Sequence, residues 1–290
     1  MKHWMMGWMG ILLAAVIVGG CSESTAPETG AQGQDPQAPI LPPAEVMQFD
    51  LAFFGPPAVA GAQVQESEMA GEPCSQRNWF NAALRVAAID LIVAVGIAPP
   101  ATAFAAAVHT FPSYLGDLTW LWIYTWIDAE GHEMQVRLQG RILEDDDAVA
   151  WELRVNSEAS APPLDNALWF QGESPIGYGE GYWIINDISV SPTSPAVRLD
   201  FNHASDEEGE LLFENIYAGD EGLGDTLRFH ELGSLCTLEF YDASADEEAV
   251  IIWHEEDGGG SLECPDYNGG EPACWTAEHC DCECPEIAPS

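Results

Sequence analysis

The sequence predicts a mainly β protein with an N-terminal helical element. The expected architecture is an antiparallel up-and-down meander, a closed or half-open barrel of about ten strands. Three observations predict it. From Leu118 onward, apolar and polar residues alternate with period two in one segment after another. Short acidic or Gly-rich turns, such as DAEG at 128–131 and EDDD at 144–147, separate those segments. Ahead of them, residues 78–108 carry helical spacing interrupted by Pro99 and Pro100.

Composition sets the outer limits. The chain has 290 residues, and 47% are hydrophobic, enough for one sizeable core and a small appendage. Eight Lys and Arg face 48 Asp and Glu, a formal charge of −40. That balance excludes phosphate-backbone binding as a main activity, so no nucleic-acid partner is expected. Charge alone cannot hold such a chain to an anionic membrane.

The first segment reads MKHWMMGWMGILLAAVIVGGC. Lys2, the single lysine, gives a positive n-region. Ile11 to Val18 form an apolar run that is short for a spanning helix. Residues 1–20 therefore read as a cleavable export signal. The Val18-Gly19-Gly20-Cys21 run resembles the lipobox of bacterial lipoproteins, with Val18 and Gly19 at positions where Leu and Ala or Ser are commoner. The resemblance implies a diacylglyceryl group on the Cys21 thiol, hence a lipid bilayer as partner. Ser22 in place of Asp implies the outer membrane of a bacterial cell envelope. An ordinary secretion signal with an incidental Cys21 is the alternative.

Residues 21–45 read as the acylated Cys and a Pro-rich tether, with Pro27, Pro36, Pro39, Pro42 and Pro43 among small polar residues. Extended at about 3.1 Å per residue, it would hold the folded part roughly 70 Å from the bilayer. A β-rich globular domain is expected over 46–257. Val46 to Phe54 alternates and reads as a strand. Asn78 is the expected cap of a helix to about Val95, with Phe80, Leu84, Ala88, Leu91 and Val95 on one stripe. A short second helix follows the prolines to Val108, and the pair should be buried against a sheet. Strands are then expected around 120–127, 134–142, 149–155, 167–172, 181–190, 196–202, 210–217, 225–230, 235–242 and 249–255. The arginines of these strands, Arg137, Arg141, Arg154, Arg198 and Arg228, fall on polar faces and should pair with cross-strand carboxylates. Residues 258–290 read as a Cys-rich C-terminal tail.

Seven cysteines remain after Cys21. In an exported protein they read as disulfide formers, with Cys74, Cys236, Cys264 and Cys274 as candidates. Cys74 and Cys236 could pair across the body. The tail reads as a small disulfide-stapled unit. A metal clamp on His279, Cys280, Cys282 and Cys284 is the other reading, although C-x-C-x-C is not zinc-ribbon spacing.

No HExxH, GxSxG or phosphate-loop motif is present, and no catalytic residue is assigned. If the strands alternate strictly, His203, His230 and His254 reach one rim beside acidic turns. Imidazoles and carboxylates together would suit a divalent cation, and no other cofactor is expected. Trp120, Trp122, Tyr124 and Trp126 lie on one face of one strand. They could line a pocket for an apolar ligand, or pack on the apolar helices. The function expected from all this is a lipid-anchored envelope lipoprotein acting as a non-catalytic binding or structural module. A lipocalin-like carrier of an apolar ligand and a metal- or carboxylate-dependent hydrolase are the alternatives.

Overall fold

The computed structural model describes residues 37–42, 51–54, 74–128, 131–143, 147–160, 163–176, 179–188, 194–205 and 208–285. The export signal, Cys21 and the tether outside 37–42 lie outside the described residues, as do 46–50 of the first expected strand.

The chain is mainly β. Fourteen antiparallel strands pair strictly in chain order in one sheet. They are β1 (Ser113–Gly116), β2 (Thr119–Ile127), β3 (Glu133–Ile142), β4 (Ala148–Ser157), β5 (Leu164–Pro175), β6 (Gly179–Asn186) and β7 (Pro195–Ser205), then β8 (Glu208–Asn215), β9 (Thr226–Leu232), β10 (Leu235–Asp242), β11 (Glu247–His254), β12 (Gly260–Glu263), β13 (Ala273–Trp275) and β14 (Asp281–Cys282). The meander is as the period-two pattern predicts, but the barrel of about ten strands is not formed. β1 and β14 are not paired with each other, so the sheet stays open. The closing pair would have to join a strand of four residues to one of two, which offers too few backbone groups. Residues 260–282 supply the last three strands of the sheet.

Two helices, α1 (Arg77–Gly96) and α2 (Ala98–Ala106), precede the sheet. Pro99 and Pro100 open α2, where a missing N–H costs nothing. No side chain of its own cap residue, Gln76, closes the N-terminus of α1. Asp281 of β14 does that instead: its Oδ1 accepts from the Asn78 N–H at 2.9 Å, and its own N–H donates to the Ser75 carbonyl. Asn78, the expected cap, instead ties α1 to the sheet end, donating to the Cys274 carbonyl and accepting from the Tyr267 hydroxyl. The described part of the expected first strand, Ala52–Phe54, is a single 3-10 turn. Among the described residues no helix is long and apolar enough to cross a membrane.

The helices share one core with the inner face of the sheet. α1 packs on β12, β13 and β14. Phe104 of α2 is fully buried and meets Trp151, Phe170 and Trp183 of β4, β5 and β6 at 5.4–5.6 Å between ring centres. One row across the inner face explains how so many indoles fit. Trp120, Gly140, Trp151, Gly172 and Trp183 are successive cross-strand partners from β2 to β6. Each glycine leaves the room a neighbouring indole takes: a Cβ on Gly140 would lie 2.6 Å from the Trp151 ring, and one on Gly172 2.7 Å from the Trp183 ring. Glycine here serves close packing, not a special backbone angle.

The tether also departs from expectation where it is described. Ala38 and Leu41 pack against the core, and Pro39 and Ile40 line a groove of about 250 Å³ with Val108, Thr110, Pro112 and Trp122.

Candidate functional site

The aromatic strand β2 turns its expected face inward. Trp120 and Trp122 are buried, and Trp126 meets Trp169 edge-on at 5.6 Å. The Tyr124 hydroxyl donates to the Ala103 carbonyl of α2. Burial raises the phenol pKa, so it stays protonated and remains a donor. Helix α2 therefore covers Tyr124, while Trp122 lines the groove that Pro39 and Ile40 enter.

The three strand-end histidines reach one rim, because β7, β9 and β11 run in the same direction. They do not share a face. Cross-strand partners point to the same side. His203 stands in the inward row with Gly209, Glu231, Cys236 and Trp253. His230 stands outward, opposite Glu210 and Thr237, and His254 is exposed. One strand also lies between each and the next, so two strand spacings, about 10 Å, part them. Of the acidic turn expected beside them, Asp145 and Asp146 lie outside the described residues. Among the described residues no group of three or more His, Cys, Asp or Glu could hold a metal ion.

Three of the four C-terminal donors are engaged in other contacts. His279 stacks on Trp79, with ring centres 4.4 Å apart and planes within 7°, and its edge faces Phe53. Burial there lowers its pKa and favours the neutral ring. Cys280 forms a disulfide with Cys74, and Cys284 with Cys274. The expected pairing of Cys74 with Cys236 is not made; Cys236 is buried on β10, its Cα opposite Trp253. Cys264 keeps a buried thiol whose Sγ donates to Asp266 Oδ1 at 2.8 Å. Arg85 of α1 approaches the same oxygen at 2.6 Å, which locks helix, thiol and β12–β13 loop together. Cys282 keeps an exposed thiol.

The polar concavity of the molecule lies on the outer face, over β6, β7 and β8. Two register rows build it: Glu180, Asn202 and Glu210, then Tyr182, Asp200 and Leu212. Together with the Gly181 and Phe201 backbone they surround about 360 Å³. Arg198 clasps Asp200 along its own strand, at 2.7 Å from Nε and 2.6 Å from Nη2, and lies over the Tyr182 ring at 5.0 Å. Glu210 is held across strands by Arg228 at 3.1 Å. Arg154 likewise pairs with Glu152 on its own strand, so of these three arginines only Arg228 makes the expected cross-strand pair. Desolvation and the neighbouring Glu173 carboxylate raise the Tyr182 phenol pKa. The groove offers carboxylate acceptors, an amide and an aromatic edge, a set suited to hydroxyl-rich or cationic ligands. Its residues are spaced i, i+2 on three strands. Only the inter-strand register brings them together, which is why the sequence alone does not reveal the groove.

No family model, curated protein or solved structure matches the chain.

Proposed function

We propose that the chain is a lipid-anchored lipoprotein of the bacterial envelope, held at the outer membrane through acylated Cys21 and acting as a non-catalytic binding or structural module. The observation that carries this reading is the Val18-Gly19-Gly20-Cys21 run behind an apolar segment that starts from a positive end. Several acyl chains anchor stably, at about 0.8 kcal/mol per buried methylene. A charge of −40 leaves lipid as the reasonable means of attachment. The binding role is assigned to the outer groove around Tyr182 and Glu180, because Phe104 of α2 packs into the aromatic core on the inner face.

The test is metabolic labelling with tagged palmitate in a bacterial host, beside a Cys21→Ser variant. The expected result is label on the wild type and recovery in the membrane fraction, both lost in C21S. Equal fractionation of the two proteins, or wild type without label, overturns the reading.

A further inference from the structure

We propose that Cys282, Cys274 and Cys284 form a thiol–disulfide exchange centre, in which the Cys282 thiolate displaces Cys284 from its bond to Cys274. Three observations place the reacting groups together. Cys282 on β14 is the direct register partner of Cys274 on β13. Opposed residues of an antiparallel pair have Cα atoms about 4.5–5.5 Å apart and side chains on one face, within the span a disulfide bridges. Cys274 is already bonded to Cys284, with Cα atoms 5.2 Å apart. Cys282 and Cys284 are two residues apart, so both present sulfur to one partner. Cys282 is exposed and carries a thiol rather than a disulfide.

The step balances without an outside reagent. Cys282 loses its proton to solvent, and the thiolate attacks Cys274 Sγ. The Cys274–Cys282 bond forms as the Cys274–Cys284 bond breaks, and Cys284 leaves as a thiolate that takes up a proton. One thiol and one disulfide exist before and after. Only the location of the thiol changes, from the last strand to the residues beyond it. β14 is a two-residue strand at the sheet edge, so little backbone pairing opposes the small shift required. The Cys74–Cys280 bond holds this corner in place meanwhile.

Peptide mapping of the full chain tests this. The protein is purified without reductant and held at mildly alkaline pH. It is then trapped with N-ethylmaleimide and cut after Glu283 by a Glu-specific protease, which separates Cys282 from Cys284. The expected result is maleimide on both residues, with Cys284 labelled in about one molecule in ten or more. A Cys282→Ser variant should leave Cys284 unlabelled, and Cys284→Ser, folded under oxidised glutathione that takes up the two electrons, should yield a Cys274–Cys282 disulfide. Label confined to Cys282 in the wild type, or free Cys274 in a C284S protein that retains the Cys74–Cys280 bond, overturns the proposal. If C284S does not fold, the wild-type map decides alone.

Discussion

Asp225 sits at the start of β9 with one carboxylate oxygen well used and the other stranded. Oδ1 accepts from the Ala243 N–H at 2.9 Å, while Oδ2 is buried and has no partner among the described residues. Desolvation raises its pKa, and Asp242 and Asp220 push the same way against the lowering effect of the Ala243 N–H. The folded state therefore holds this proton more tightly than the unfolded chain. Stability is retained below the unfolded carboxylate range, near pH 4, and lost as pH rises through the raised folded value. Asp225→Asn keeps the Oδ1 acceptor and removes the charge. We expect it to stabilise the fold by about 1 kcal/mol at neutral pH, with the advantage shrinking toward pH 4. Thermal denaturation of both proteins across that range checks it, and parallel curves would refute it. The indole row belongs to the same scale. The alternation of Trp120, Gly140, Trp151, Gly172 and Trp183 was in plain view in the sequence. Its meaning needs the register, since only paired strands set each glycine against an indole.

At the scale of elements, the firmest contact between the two ends of the described body is covalent. The Cys74–Cys280 bond closes a sequence separation of 206 residues and fastens the start of α1 to the last strand. A chain-entropy view gives such a closure about 5 kcal/mol. The double variant Cys74→Ser with Cys280→Ser should lower the melting temperature by roughly 10 °C. It should also loosen the Asp281 cap on α1. Calorimetry reads the first effect and hydrogen exchange at residues 77–80 the second. An unchanged melting temperature would show that packing alone holds the corner. β2 to β11 were legible because each alternates over seven or more residues. β1 and β12–β14 were not, because two to four residues carry no usable period. The expected helix at 78–95 was found within a residue or so at each end. Its cap was not, because the capping carboxylate is Asp281, about two hundred positions away. Cysteine pairing failed for the same reason: bonds between distant residues leave no mark on local patterning.

At the scale of the whole molecule, acidity opposes compactness. A charge of −40 on a chain with seven arginines beyond Lys2 leaves most carboxylates without a cationic partner. The ion pairs that do form among the described strand residues are half-exposed and contribute little each. Salt should therefore stabilise the fold. Raising sodium chloride from about 10 mM to about 0.5 M shortens the screening length several-fold and should raise the melting temperature by several degrees. Scanning calorimetry across that series checks it, and a flat response would mean that the self-repulsion is already neutralised. The antiparallel meander itself was readable from period and turns. Whether its edges meet was not, because closure depends on strand lengths at the two ends, and those end strands left no pattern to read.

A sheet whose strands all pair with their sequence neighbours can assemble as the chain arrives, hairpin upon hairpin. Helix α1 cannot follow that schedule. It is made early, yet it rests on β12, β13 and β14, which come last. During synthesis, this helix waits for more than half the polypeptide before gaining its cover. Such a latecomer's dependence favours a holding chaperone, and it makes residues 260–282 the latch that completes the molecule.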